Sequence, residues 1–203
     1  MEINWLEYEN EAHSNGYDVV CGIDEAGRGP LAGPVFAAAV ILPRGHVIEG
    51  VNDSKKLSEK KREALFDKII DESVCFSIAS ASEKEIDEIN ILNATFLAMR
   101  RAVQNLEIKP QCALIDGNMK PGLEIAEKTI IKGDAKSASV AAASILAKVS
   151  RDRYMIRLAE EYPQYAFEKH KGYGTKLHYE MLEKHGISPV HRKSFLKKLI
   201  NNE

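Results

Sequence analysis

No apolar run in this chain of 203 residues approaches the roughly 18 residues that a membrane-spanning helix needs. Met1 to Tyr17 is acidic and polar, so it lacks the basic start and apolar stretch of a secretory signal. Cysteine is scarce. Cys21, Cys75 and Cys112 are an odd number, each in or beside an expected strand, with no metal partner at short spacing. That argues against a disulfide scaffold or a zinc finger and for reduced, buried thiols in a cytoplasmic protein. No Gly-Lys-Ser/Thr follows a glycine loop, and Gly27, Gly29 and Gly33 miss the dinucleotide fingerprint spacing. Internal repeats and low-complexity segments are also absent.

What is present is ordinary for a globular domain: 44% hydrophobic and 29% charged residues, enough chain to bury a substantial core. The net charge of −2 conceals an asymmetry. Residues 1–131 hold 14 Lys and Arg against 22 Asp and Glu, whereas residues 132–203 hold 14 against 8. A basic final third is the footprint expected of a surface that meets phosphates.

Strands are expected near 18–24 and 34–42, the second apolar throughout and therefore covered on both faces. Ser58 to Asp71 reads as a surface helix, and a third strand follows near 74–80. Ser82 and Glu85 form a capping box that opens a short helix. Asn93 to Leu106 continues with helical periodicity. A fourth strand, Cys112 to Ile115, ends at Asp116, and a fifth, near 128–131, leads to Lys132-Gly133-Asp134. A long alanine-rich helix from Ser137 to Glu160 packs against the sheet. The remainder is helical and basic, with Thr175 capping one helix and Gly186 ending it. This pattern is an α/β fold with a mixed five-stranded sheet flanked by helices and a C-terminal helical region.

The most informative stretch is Asp24-Glu25-Ala26-Gly27-Arg28-Gly29-Pro30, directly after the apolar run Val19 to Ile23. Adjacent carboxylates at the end of a buried strand repel each other, and a divalent cation with oxygen ligands relieves that repulsion. Asp116 also ends a strand, and Asp134 lies just past one. Four acids from three segments can thus meet at one sheet edge, the place where α/β folds bind ligands. Such an arrangement suits two-metal phosphoryl chemistry.

These residues belong to a series of blocks that closely resembles bacterial ribonuclease HII, a type 2 ribonuclease H, over nearly the whole chain. The blocks are Gly22 to Pro34, Asp53-Ser54-Lys55-Lys56-Leu57, Leu114-Ile115-Asp116-Gly117 and Lys132 to Ser137. They continue with Ala141 to Val149, His170-Lys171-Gly172-Tyr173-Gly174-Thr175 and Ser188-Pro189-Val190-His191-Arg192. The resemblance implies a ribonuclease H-like catalytic core over 1–160 and a substrate-clamping helical region over 161–203. It also implies endonucleolytic cleavage of the RNA strand of RNA–DNA hybrids and at single ribonucleotides in DNA, work that belongs to replication and ribonucleotide excision repair. The family's metal-binding catalytic acids map onto Asp24, Glu25, Asp116 and Asp134, with Mg²⁺ or Mn²⁺ as cofactor. Its ribose-sensing turn maps onto Gly27, Arg28 and Gly29, its junction tyrosine onto Tyr173, and a phosphate-contacting lysine onto Lys55. The 2′-hydroxyl is what separates RNA from DNA at such a site, and a glycine turn can approach it closely.

Two other readings bear on the same residues. Ribonuclease HIII shares the core but carries an extra amino-terminal domain, and only about 17 residues precede the first expected strand here. A non-catalytic hybrid-binding module would have lost one of the four acids, and none is lost. His178 and His185, seven apart on one helix, read as structural or exposed. His170 and His191 are open between substrate contact and structure, and Lys136 between a phosphate and Asp134. The tail from Lys197 to Glu203 shows no partner motif, and a monomer is the expectation.

Overall fold

The computed structural model describes residues 4–52 and 54–197, apart from the Lys55 side chain. The phosphate contact expected of Lys55 and the tail beyond Lys197 lie outside the described residues. Five strands form one sheet in the order β3-β2-β1-β4-β5: β1 is Val20–Ala26, β2 Val35–Ile41, β3 Cys75–Ala81, β4 Cys112–Asp116 and β5 Ala126–Ile130. The first three run antiparallel, and β4 and β5 run parallel to β1. β1 is therefore central. The acids at its end stand opposite small residues, Asp24 against Ala38 and Glu25 against Ala37.

Each face of the sheet is covered, as the unbroken apolar β2 requires. On one face Cys21, Ile23, Val35, Ala37 and Ala39 pack under Ala94, Ala98, Met99 and Ala102 of α3 (Glu83–Gln104). On the other, Ala38 and Val40 meet Leu65, Phe66 and Ile69 of α2 (Glu59–Glu72) and the alanines of α4 (Ala138–Glu161). The expected capping box between Ser82 and Glu85 forms. Within α3, Asn90 leaves helical geometry at φ 66°, and its Oδ1 accepts from the N–H groups of Leu92 and Asn93. The two helices expected on either side of residue 90 thus meet at a side-chain cap.

Gly22 decides how close α4 comes to β1. A Cβ at residue 22 would lie 2.1 Å from the Ser139 carbonyl carbon, so only glycine admits the helix backbone there. The acidic amino terminus contributes a helix that the sequence reading did not contain, α1 (Glu7–Ser14). Its Glu9 carboxylate is buried and accepts from Ser137 Oγ, Ser139 N and Ser139 Oγ at 2.6–3.0 Å. A carboxylate there satisfies first-turn donors of α4 and complements the positive end of the helix dipole. The C-terminal region adds α5 (Phe167–His170) and α6 (Lys176–His185), the latter capped by Thr175 and ended at Gly186 as expected. Leu31, Ala32, Met155, Leu158, Tyr165, Phe167, Leu182 and Leu196 form its own apolar cluster.

Candidate active site

Asp24 is buried at the open end of β1. Its carboxylate accepts from the Glu25 N–H at 2.7 Å and is bonded to Ser144 on α4. Burial, and then the negative charges of Glu25 and Asp116, raise its pKa well above the usual carboxylate value. Glu25 is one residue on, so the pleat sends it to the α3 face. There it lines a small cleft with Arg28, Thr95, Phe96, Met99, Asp116 and Met119, its carboxylate 3.6 Å from the Arg28 guanidinium. Asp116 is the last residue of β4, and its Oδ1 accepts from the Gly133 N–H at 2.7 Å. That bond ties it to the 3₁₀ turn Gly133–Ala135, in which Asp134 is buried.

Asp24, Glu25 and Asp116 are therefore brought together electrostatically, and one hydrogen bond links Asp116 to the turn bearing Asp134. Among the described residues, no three acidic, imidazole or thiol side chains are gathered tightly enough to hold an ion as they stand. The donor set nonetheless fits a hard divalent cation. Every donor is a carboxylate oxygen, and the buried Asp24 charge is the kind a cation would stabilise.

Beside Asp24 lies the second block of the sequence. Ser54 Oγ is 2.8 Å from Ser144 Oγ, so the Ser54–Lys56 turn is docked to the same α4 serine that Asp24 uses. Arg62 of α2 holds the turn further through the carbonyls of Ser54 and Leu57. Across the site, Gly27 takes φ 99°, and a Cβ there would lie 2.0 Å from Arg151 Nε. Tyr173 stands next to this turn: its Cε1 is the nearest atom to a Cβ built on Gly29, at 3.8 Å. The ring is partly exposed, with the Arg151 guanidinium 5.8 Å from its centroid. Lys136 is exposed.

A family model of ribonuclease HII matches residues 21–198. The chain belongs to the ribonuclease HII family. Ribonuclease HII of Caldicellulosiruptor bescii is 58% identical over 198 residues, covering 98% of this chain and 96% of that one. The crystal structure of ribonuclease H2 from Pyrococcus horikoshii superposes with a TM-score of 0.76 at 31% identity, covering 91% of this chain and 98% of that chain. The structure titled Bst-RNase HIII in complex with Mn²⁺ shares the fold at a TM-score of 0.66 and 20% identity, covering 86% of this chain and 65% of that one. The fold is thus the ribonuclease H-like one, and the chain is a ribonuclease H endonuclease of the HII family rather than the HIII family. Among the described residues no helix is long and apolar enough to cross a membrane.

Two fully buried arginines that the sequence reading left without a role brace the segment from Gly27 to Pro34. Arg192 donates to the carbonyls of Gly27 at 2.6 Å, Gly33 at 2.8 Å and Arg28 at 3.0 Å. Arg151 donates to Pro34, Ala32 and Lys171 at 3.0–3.1 Å. Six carbonyls are thereby fixed by two planar forks, a task lysine cannot perform. Burial and then the neighbouring Arg151 lower Arg192 to about 9, which leaves it charged at neutral pH. The histidines also resolve. His170, His178 and His191 are buried together in the C-terminal cluster, away from solvent, while His185 is exposed.

Proposed function

We propose that this chain hydrolyses the RNA strand of RNA–DNA hybrids and cuts on the 5′ side of single ribonucleotides embedded in duplex DNA, leaving 3′-hydroxyl and 5′-phosphate ends. The observation that carries the reading is that Gly27-Arg28-Gly29 leaves the strand bearing Asp24 and Glu25 and passes directly beside Tyr173. Acids and reader elements are then one continuous surface. Asp24, Glu25, Asp116 and Asp134 would hold Mg²⁺ or Mn²⁺. Bound there, the cations supply a nucleophilic water and stabilise the leaving oxygen.

The remaining roles fall to the chain itself. The glycine turn approaches the ribose and hydrogen-bonds its 2′-hydroxyl. The Tyr173 ring packs on the following deoxyribose, where an added hydroxyl fits poorly. Lys55 and the basic residues of 161–203 hold the phosphates against the core of 1–160. The enzyme acts in the cytoplasm, in replication and ribonucleotide excision repair. The test is incubation with a labelled duplex containing one ribonucleotide, with and without Mg²⁺. A single 5′-side cut that needs the metal is expected. No cut, or a metal-independent one, refutes the reading.

A further inference from the structure

Two imidazoles grip the peptide that carries Tyr173. His170 Nδ1 accepts from the Gly172 N–H at 3.2 Å, and His178 Nδ1 lies 2.9 Å from the Tyr173 carbonyl oxygen. Their rings are stacked, with centroids 4.4 Å apart at 16°. Beyond them, His178 Nε2 lies 3.1 Å from His191 Nε2, and His191 Nδ1 is 3.0 Å from the Ser188 N–H. Phe167 and Tyr165 enclose the group.

The partners leave one proton arrangement. A backbone N–H only donates, so His191 Nδ1 accepts from Ser188 and its proton sits on Nε2. A carbonyl only accepts, so His178 donates from Nδ1 and its Nε2 accepts from His191. His170 accepts at Nδ1 from Gly172 and donates from Nε2 to the Tyr165 carbonyl at 2.8 Å. Every ring nitrogen is satisfied with all three rings neutral. A side chain that donates at one end and accepts at the other in so small a space is a neutral imidazole.

We propose that this histidine relay positions Tyr173 for reading the RNA–DNA junction, with His178 as the residue that holds its main chain. This role rests on the reading of Tyr173 as the junction-sensing ring. Tyr173 is flanked by Gly172 and Gly174, so its neighbours in sequence restrain it little. The Gly172 carbonyl is held by the Leu31 N–H at 2.8 Å, and the Tyr173 carbonyl by the Thr175 N–H at 2.8 Å as well as by His178. The ring is thereby tied to both the glycine-turn loop and the basic helical region.

The test compares cleavage of a single embedded ribonucleotide with cleavage of a continuous hybrid, taking the ratio of kcat/KM values. His178→Leu removes the donor, whereas His178→Asn places an amide N–H near the former Nδ1. His178→Leu is expected to lower the ratio about 10-fold, the scale of one lost hydrogen bond. His178→Asn restores most of it, and Tyr173→Ala combined with His178→Leu falls no further than Tyr173→Ala alone. If Tyr173→Ala lowers the ratio and folded His178→Leu does not, the relay has no positioning role. If Tyr173→Ala itself leaves the ratio unchanged, the junction reading fails, and the relay's role with it. Equal loss on both substrates in His178→Leu marks a purely structural histidine and overturns the assignment. Should His178→Leu not fold, imidazole ¹⁵N shifts of the wild-type protein decide. Protons on His178 Nδ1 and His191 Nε2 are expected, and a proton on His178 Nε2 overturns the relay.

Discussion

The Arg192 guanidinium donates to the carbonyl of Gly27 across 165 residues of chain, at 2.6 Å and out of contact with solvent. The turn after β1 is therefore shaped from the far end of the chain. Glycine permits the turn, and arginine selects one conformation of it.

Arg192→Lys keeps the charge and loses the fork. Carbonyls of Gly27, Arg28 and Gly33 would share one ammonium, with at least one left unpaired. A loss of about 2–4 kcal/mol in unfolding free energy is expected, with reduced cleavage at embedded ribonucleotides. Urea denaturation checks the first part. A stability within about 0.5 kcal/mol of wild type would mean the brace contributes little.

Asp116→Asn addresses the acids. The amide keeps an oxygen for the Gly133 N–H while removing one negative charge from the cluster. Turnover should fall by at least about 100-fold while hybrid affinity survives, because in the proposed function phosphate contacts from the basic third would carry binding. Affinity measured by fluorescence anisotropy beside a cleavage assay separates the two, and full activity in the variant or in excess chelator would refute the site.

Stability without metal gives a second view of the same residues. Burial and like charges favour protonated Asp24 in the fold, so the ionised group opposes folding at neutral pH. Asp24→Asn should raise the melting temperature of the metal-free protein, and Asp134→Asn should do the same. Saturating Mg²⁺ should raise that of wild type, because it binds only the folded state. A metal-free melting temperature lowered in both variants would argue against a crowded acidic site.

The histidine relay predicts a pH dependence. Burial lowers both His178 and His191 from 6.5 to about 4. Between those values the unfolded chain binds protons that the folded rings refuse, so stability falls as pH drops through the window and is fully present above it. Urea melts at pH 7, 6 and 5 should show a loss on the order of a few kcal/mol. Glu85, held down to about 2 by Arg101, adds its own loss only below its unfolded value of 4.5, under the pH 5 end of the measurement. Protonation of Asp24 works in the opposite direction over the same range, so the comparison is made in Asp24→Asn, where constant stability from pH 7 to 5 would contradict neutral, buried rings.

Local chemistry wrote much of this protein into its sequence. A short unbroken apolar run suits a strand covered on both faces, Ser82 and Glu85 can close a cap three residues apart, and carboxylates that end strands can share one sheet edge. Five strands, the long alanine-rich helix and the placement of Asp24, Glu25 and Asp116 were legible for that reason. Tertiary structure decided the rest, because the deciding contacts join residues remote in the chain. Nothing near Glu9 announces that it caps α4, 128 residues away. Arg151 and Arg192 look like surface cations until six carbonyls surround them. The three histidines read as separate until folding brings them together, and only then do donor and acceptor directions fix where their protons lie.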